Sequence, residues 1–360
     1  MFTSREKPLP AAVFKANQRI DKSQAIAGEG VHVGTGCYWH PLKASNPHAA
    51  IVGTSGSGKT QTLKALMFEL VKTPGYRVLA LDVHGDLDIP GERLIPLHMS
   101  STYGVNPLAI SQDPEGGGPG IQSIVVAESL KRSLQMGPNQ VGYIIQLIKD
   151  CYLERGLMQT NITTWSNEPP DFSDLEEKLT QLAEDGDKEA NRILLKLSAT
   201  FQFGIFSRPQ PDWVEEPLTR VDLSKLPSEL ASIAIESLTQ QLFNRYRLAG
   251  EGNSPMTFIV IDECKLMYKS RSLDRILTEG RKFSIGALVA SQSERHMSQD
   301  LLGNAAFKLV LPVDQMEVKK VAQRFRFDEK RIAALNPLQA LVRVGKDAYM
   351  TNVIPFWQRV

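Results

Sequence analysis

Gly53-Thr54-Ser55-Gly56-Ser57-Gly58-Lys59-Thr60 spells G-x-x-x-x-G-K-[ST], the P-loop pattern. Its glycines let the backbone curl so that successive N–H groups point into one concavity, which binds phosphate oxygens. The flanking sequence agrees with the motif. On the N-terminal side the apolar run His48-Ala49-Ala50-Ile51-Val52 predicts a short buried strand. On the C-terminal side Leu63, Leu66, Met67, Leu70 and Val71 recur at the spacing of an amphipathic helix. That helix, beginning near Lys59, brings the positive end of its dipole to the same spot. A second apolar strand, Arg77–Asp82, follows; strand, helix and strand in so short a span make a βαβ unit of a parallel sheet. The expectation is an α/β fold that binds ATP. Gly53, Ser55, Gly56, Ser57, Gly58, Lys59, Thr60 and Gln61 are its nucleotide-binding residues. Lys59 is placed to reach the β- and γ-phosphates, and the Thr60 hydroxyl to hold Mg2+.

Further along, Phe258-Ile259-Val260-Ile261-Asp262-Glu263 is an apolar strand that ends in two adjacent acids. Such a strand delivers Asp262 to the sheet's C-terminal edge, beside the phosphates, as a second Mg2+ ligand. Glu263 is then placed to polarise an attacking water as general base. A kinase has a substrate hydroxyl to activate instead, so the pair predicts hydrolysis. The next strand, Ile285–Ala290, ends at Ser291-Gln292. A polar side chain at that tip is positioned to sense the γ-phosphate, a role assigned to Gln292. Arg281, just before the same strand, offers a planar, permanently charged fork for transferring oxygens, on its own subunit's nucleotide or on a neighbour's.

The rest of the chain organises around these motifs. Residues 1–44 read as an extension with a short β-hairpin around Val31–Val33 and Cys37–Trp39, and 45–115 as the first part of the core. Gly116–Gly118, between Pro114 and Pro119, opens a mostly helical insertion over 116–250, whose one strand signal lies near Thr219–Leu223. Strand signals resume at Thr257–Ile261, Ile285–Ala290, Lys308–Val313 and Ala340–Val344, so 251–360 completes the core.

Composition narrows the class. The 360 residues are 42% hydrophobic and 22% charged, which excludes a disordered chain or a coiled-coil rod. No apolar run is long enough to span a bilayer, and the first 25 residues mix charges among apolar positions, so neither membrane insertion nor a secretory leader is expected, and the location reads as cytoplasmic. Cys37, Cys151 and Cys264 lie far apart, and the histidines lack ligand spacing, which argues against disulfides and zinc. Net charge is +1, but residues 161–190 carry nine acids against two lysines, and 317–360 nine Lys/Arg against four acids. Lys131 and Arg132, and the loop Ser293–Asp300 with Arg295 and His296, are candidate DNA contacts; solvent exposure explains each equally well.

In order along the chain, the P-loop, Asp82-Val83-His84-Gly85-Asp86, Asp262-Glu263, Glu279-Gly280-Arg281-Lys282-Phe283 and Ala290-Ser291-Gln292 resemble the HerA/FtsK superfamily, closest to its HerA and VirB4/TraD-like branch. The resemblance covers roughly residues 45–355. It implies a RecA-like (ASCE) P-loop core with an inserted helical subdomain, assembled as a homohexameric ring with ATP at subunit junctions and double-stranded DNA in the central channel. It also implies that Arg281 matches the arginine that acts in trans on the adjacent subunit's ATP. HerA relatives often work with nucleases, so a nuclease or other effector is an expected partner; this sequence holds no nuclease constellation of its own. Two features depart from the pattern. Val83 stands where the family often has proline, and the stretch before the P-loop strand is too short for the N-terminal β-barrel of HerA proteins. The expected activity is ATP-driven DNA translocation of helicase type. Two other readings stay open: a VirB4-like ATPase that energises a secretion or conjugation machine, and a ring scaffold that licenses a partner effector.

Overall fold

The hairpin expected ahead of the P-loop forms from β1 (Val31–Gly34) and β2 (Cys37–Trp39) in the computed structural model, which describes residues 30–214, 216–252 and 255–360. The expectations for residues 1–29, including the reading of the first 25 as no leader, lie outside the described residues. Next come β3 (Ala49–Val52), helix α1 (Lys59–Lys72) and β4 (Tyr76–Asp82), as the apolar periods predict. A short strand that sequence reading misses, β5 (Arg93–Pro96), follows. It sits at the end of the sheet, where half-exposed Leu94 and neighbouring Pro90, Gly91 and Pro96 dilute the strand signal.

The chain divides into two compact units. One comprises His98–Pro211 and Pro227–Ala249 and is helical: α2 (Pro119–Leu134), α3 (Pro138–Glu154), α4 (Phe172–Glu184), α5 (Lys188–Phe203) and α6 (Ser228–Ala249). Many of the acids of 161–190 have structural work here. Asp171 and Asp187 cap α4 and α5, and Asp174 pairs with Arg155 at 2.6 Å. Their negative charge is therefore spent on helix ends and ion pairs.

The other unit carries the sheet. The chain returns to it at β6 (Leu218–Asp222), the strand signal placed within the helical insertion, which instead pairs between β4 and β5. It continues through β7 (Met256–Ile261), α7 (Arg271–Glu279), β8 (Ile285–Ser291), α8 (Gln299–Asn304), β9 (Phe307–Val310), α9 (Val318–Phe325), α10 (Glu329–Ala333), β10 (Gln339–Val344) and β11 (Asp347–Asn352). The nine-stranded order is β11-β10-β9-β3-β8-β7-β4-β6-β5. The strands from β9 to β5 all run parallel, and β10 turns antiparallel against β9. On one face Leu63, Leu66, Met67 and Leu70 of α1 pack onto β3, β4 and β7 in a continuous core. Trp39 of the hairpin belongs to the same core, wedged between the rings of Phe307 and Phe258 at 5.0 and 5.8 Å. The root of the P-loop is thereby fixed on both flanks. No helix among the described residues is long and apolar enough to cross a membrane.

Candidate active site

A parallel sheet gathers the C-terminal ends of its strands along one edge, and ligands bind there. This sheet gathers Gly53 after β3, Gln292 after β8, Asp262 after β7 and Asp82 at the end of β4. One strand, β8, stands between the P-loop strand and the acid-pair strand, so Gln292 emerges between the two motifs.

The P-loop has the backbone its glycines permit. Gly56 (φ 76°) and Gly58 (φ 99°) lie in the left-handed region, and Gly58 is the residue from which α1 starts. A side chain at Gly58 would also strike Leu338, whose Cδ2 lies 2.5 Å from the position a Cβ would take. The loop is tied down at its base. Gly53 N–H donates to Ser291 carbonyl at 3.3 Å, Thr54 N–H to Pro312 carbonyl at 3.0 Å, and the Ser57 hydroxyl to Thr54 carbonyl at 2.7 Å. Ser55 and Gly56 are left exposed at the tip. Lys59 is buried and donates its ammonium to the main-chain carbonyl of Asp262 at 3.4 Å, which holds it at the end of the acid-pair strand. The Oε1 of half-buried Gln61 has no partner among the described residues.

Asp262 is buried. Its Oδ1 accepts from Val83 N–H at 3.2 Å, while Oδ2 has no partner among the described residues. Burial, and then the neighbouring Asp82 carboxylate, push the Asp262 carboxyl up to about 6, against His84, the Val83 N–H and Lys59. One carboxylate oxygen each from Asp82, Asp86 and Asp262 lie within 4.8 Å of one another. The three are not equivalent. Asp82 is saturated: it accepts from Gly85 N–H, from Leu87 N–H and from Arg220 at 2.7, 3.0 and 2.9 Å, and Arg220 is in turn clamped by both oxygens of Glu92. Asp86 is exposed and accepts the Thr60 hydroxyl at 3.1 Å. An orphaned buried acceptor on Asp262, beside Asp86 and the Thr60 hydroxyl, is an all-oxygen donor set of the kind Mg2+ takes. The residues fit that ion. Asp86 is absent from the ligands read off the sequence, although its motif, Asp82-Val83-His84-Gly85-Asp86, is plain there. What sequence does not reveal is that Asp82 is consumed by Arg220, 138 positions away, which leaves the second acid as the open one.

The remaining predicted residues divide by sheet edge. Glu263 is half-buried and caps a short helical turn, its Oε1 accepting from Lys265 N–H at 3.2 Å. Gln292 is exposed on the same edge. Arg281 is not there. It lies in the turn before β8, at the strand's N-terminal end, and donates to the carbonyl of Ser45 ahead of β3. The seven residues of β8 put roughly 20 Å between the two edges. Arg281 and the P-loop of its own chain therefore stand at opposite edges of the sheet. The two candidate DNA-contact groups have partners as well. Arg295 pairs with Glu317, Lys131 with Glu128 and Arg132 with Glu236.

The family described as "Helicase HerA, central domain" matches residues 40–112, which hold the P-loop, α1 and β4. The DNA double-strand break repair helicase HerA of Saccharolobus solfataricus is 24% identical over 337 residues, covering 85% of this chain and 63% of that protein. The DNA import protein CedB of Sulfolobus acidocaldarius is 24% identical over 309 residues, covering 78% and 47%. The chain thus spans less than two thirds of the length of either relative. Among solved structures, VirB4 of Thermoanaerobacter pseudethanolicus superposes with a TM-score of 0.76 at 16% identity, covering 91% of this chain and 97% of that one. The plasmid coupling protein TrwB in complex with ADP and Mg2+ gives 0.63 at 16% identity, covering 93% and 92%. At such identities the likeness is one of fold. The expected class holds: a mixed α/β P-loop NTPase fold built on a central, largely parallel sheet.

Proposed function

We propose that this chain, which is similar to HerA helicases over its P-loop region and shares the fold of VirB4 and TrwB, is a HerA/FtsK-type P-loop ATPase that hydrolyses ATP to drive translocation along double-stranded DNA as a homohexameric ring. The observation that carries this reading is the split of the site between two sheet edges. The P-loop, Asp262, Glu263 and Gln292 stand on one edge and Arg281 on the other, so the site is completed only when the Arg281 edge of one copy meets the P-loop edge of the next.

The P-loop amides and Lys59 bind the triphosphate, Lys59 exchanging the Asp262 carbonyl for phosphate oxygens. Thr60 and Asp262, with Asp86, would hold Mg2+, which when bound offsets phosphate charge. Glu263 takes the proton of the attacking water, oriented by its hydrogen bond from Lys265 N–H. Gln292 contacts the γ-phosphate, and Arg281 of the adjacent copy meets the transferring charge. A nuclease or another effector is the partner such a ring would serve.

The test is steady-state ATP hydrolysis with and without linear double-stranded DNA, with particle mass read in parallel. Stimulation that weakens with salt, on a particle of six chains, is expected. Turnover indifferent to DNA would overturn the motor reading in favour of protein remodelling or a scaffold. Glu263→Gln is expected to bind ATP without hydrolysing it; near-normal turnover would remove Glu263 from the base role.

A further inference from the structure

On the face of the sheet away from α1, whose core takes the flanking Phe307, Leu309 and Val342, three cations converge with no acidic partner at ion-pair distance among the described residues. Lys308 of β9 and Arg343 of β10 face each other across the antiparallel pair. Arg326, the left-handed residue that ends α9, closes the group. Arg343 donates to the Arg326 carbonyl, and its guanidinium lies 5.1 Å from the centre of the Phe327 ring. None of the three makes an ion pair among the described residues. This sets them apart from Arg295, Lys131 and Arg132, each of which has an acidic partner.

Like charges held together cost free energy, more so when one is withdrawn from water. Lys308 is half-buried, and its pKa is pushed down by that burial first, then by Arg326 and Arg343. An oxyanion placed among the three relieves both terms. The group is open on one side: Arg326 is exposed, and exposed Lys346 adjoins Arg343 at the β10–β11 turn. Beside it lies a hollow of about 300 Å³ lined by Lys319, Gln323, Phe327 and Glu329, where the charges of Lys319 and Glu329 offset each other, so the positive row is Lys308, Arg326, Arg343 and Lys346. Such an open row of cations suits phosphates presented along a chain better than one enclosed ion.

We infer that Lys308, Arg326 and Arg343 form a contact site for the phosphodiester backbone of nucleic acid, on the face of the sheet away from α1. The inference rests on the DNA-motor reading and gives it a location.

The test is equilibrium binding of a labelled short DNA duplex across a series of salt concentrations. Each phosphate contact contributes about 0.9 to the slope of log K against log salt. Two single variants are built to keep the fold. Arg326→Asn removes the charge with a residue that tolerates left-handed backbone, and Lys308→Met keeps the apolar stem. Each is expected to lower the slope by roughly one and the pair by roughly two, with urea midpoints like the parent's, while Arg295→Gln leaves the slope unchanged. A parent protein that binds the duplex with a steep slope, unaltered in the Lys308 and Arg326 variants, would overturn this site alone. A free phosphate or nucleotide as the true occupant gives that same result, with inorganic phosphate protecting Lys308 from acylation. A parent that does not bind duplex at any salt would overturn the DNA reading itself, and this site with it.

Discussion

The Thr60 hydroxyl donates to the Asp86 carboxylate, Oγ1 to Oδ2 3.1 Å, linking the first turn of α1 to the loop that follows β4. Asp82, the last residue of β4, is fully engaged with Arg220 and two main-chain N–H groups, so Asp86 is the acid free to turn toward a cation beside Asp262. Asp86→Asn is expected to raise the Mg2+ concentration needed for half-maximal turnover by about tenfold, the scale typical of partners around a bound metal. Nucleotide affinity measured without Mg2+ stays unchanged. A Mg2+ titration of turnover alongside calorimetric nucleotide binding reads both, and an unaltered requirement would leave Asp86 as a hydrogen-bond acceptor for Thr60 only.

Arg281 is tied to the Ser45 carbonyl at the N-terminal ends of β8 and β3, a sheet length from its own Lys59. Arg281→Ala and Lys59→Ala are each expected to lower turnover by about a thousandfold or more. Mixed one to one, the two inactive proteins are expected to recover a measurable fraction of parental activity. Some junctions then combine an intact P-loop with an intact arginine. A mixture no more active than its components would show that Arg281 does not serve a neighbour's site.

Much of this site is legible from sequence because its parts are local. The left-handed Gly56 and Gly58 are written into the P-loop pattern, and the apolar runs that end at Val52, Ile261 and Ser291 place the motifs on one edge. Even the distance of Arg281 from its own chain's P-loop follows from its lying before a strand whose far end carries Gln292. What sequence does not reveal depends on partners far along the chain. Strand β6 carries Arg220 back from the helical unit to Asp82 and Glu92, and a lone strand signal at 218–222 says nothing of that return. Charge is illegible for the same reason. Arg295 and Lys308 look alike in sequence, yet Glu317 neutralises the first and nothing among the described residues neutralises the second.

Arg220 stands between two carboxylates, 2.9 Å from Asp82 and 2.6 Å from Glu92, with all three side chains nearly out of water. Removing one partner of such a group strands the opposite charges in a poorly solvated place and costs about 3–5 kcal/mol. Arg220→Met is therefore expected to lower stability by that amount, seen as a shifted urea midpoint. Asp82→Asn introduced into Arg220→Met is expected to cost less than it does in the parent protein, since the charge it removes is already unpaired. Additive losses in that double-mutant cycle would mean that the two residues do not act as a pair.

His48, at the foot of β3, is buried and accepts the Ala287 N–H on Nδ1 at 3.2 Å, a bond that needs the neutral ring. Burial pushes its pKa down to about 4, against about 6.5 in an unfolded chain. As pH falls, the unfolded chain takes up this proton first, so the contribution of His48 to stability is full above pH ~6.5 and lost progressively toward pH ~4. The loss over that window amounts to about 3 kcal/mol for a shift of this size. His48→Asn, which has no proton to gain, is expected to show a smaller fall in urea midpoint between neutral pH and pH ~4.5 than the parent protein. Parallel falls in the two proteins would place the acid sensitivity elsewhere, and would mean that the buried ring is protonated in the native state at little cost.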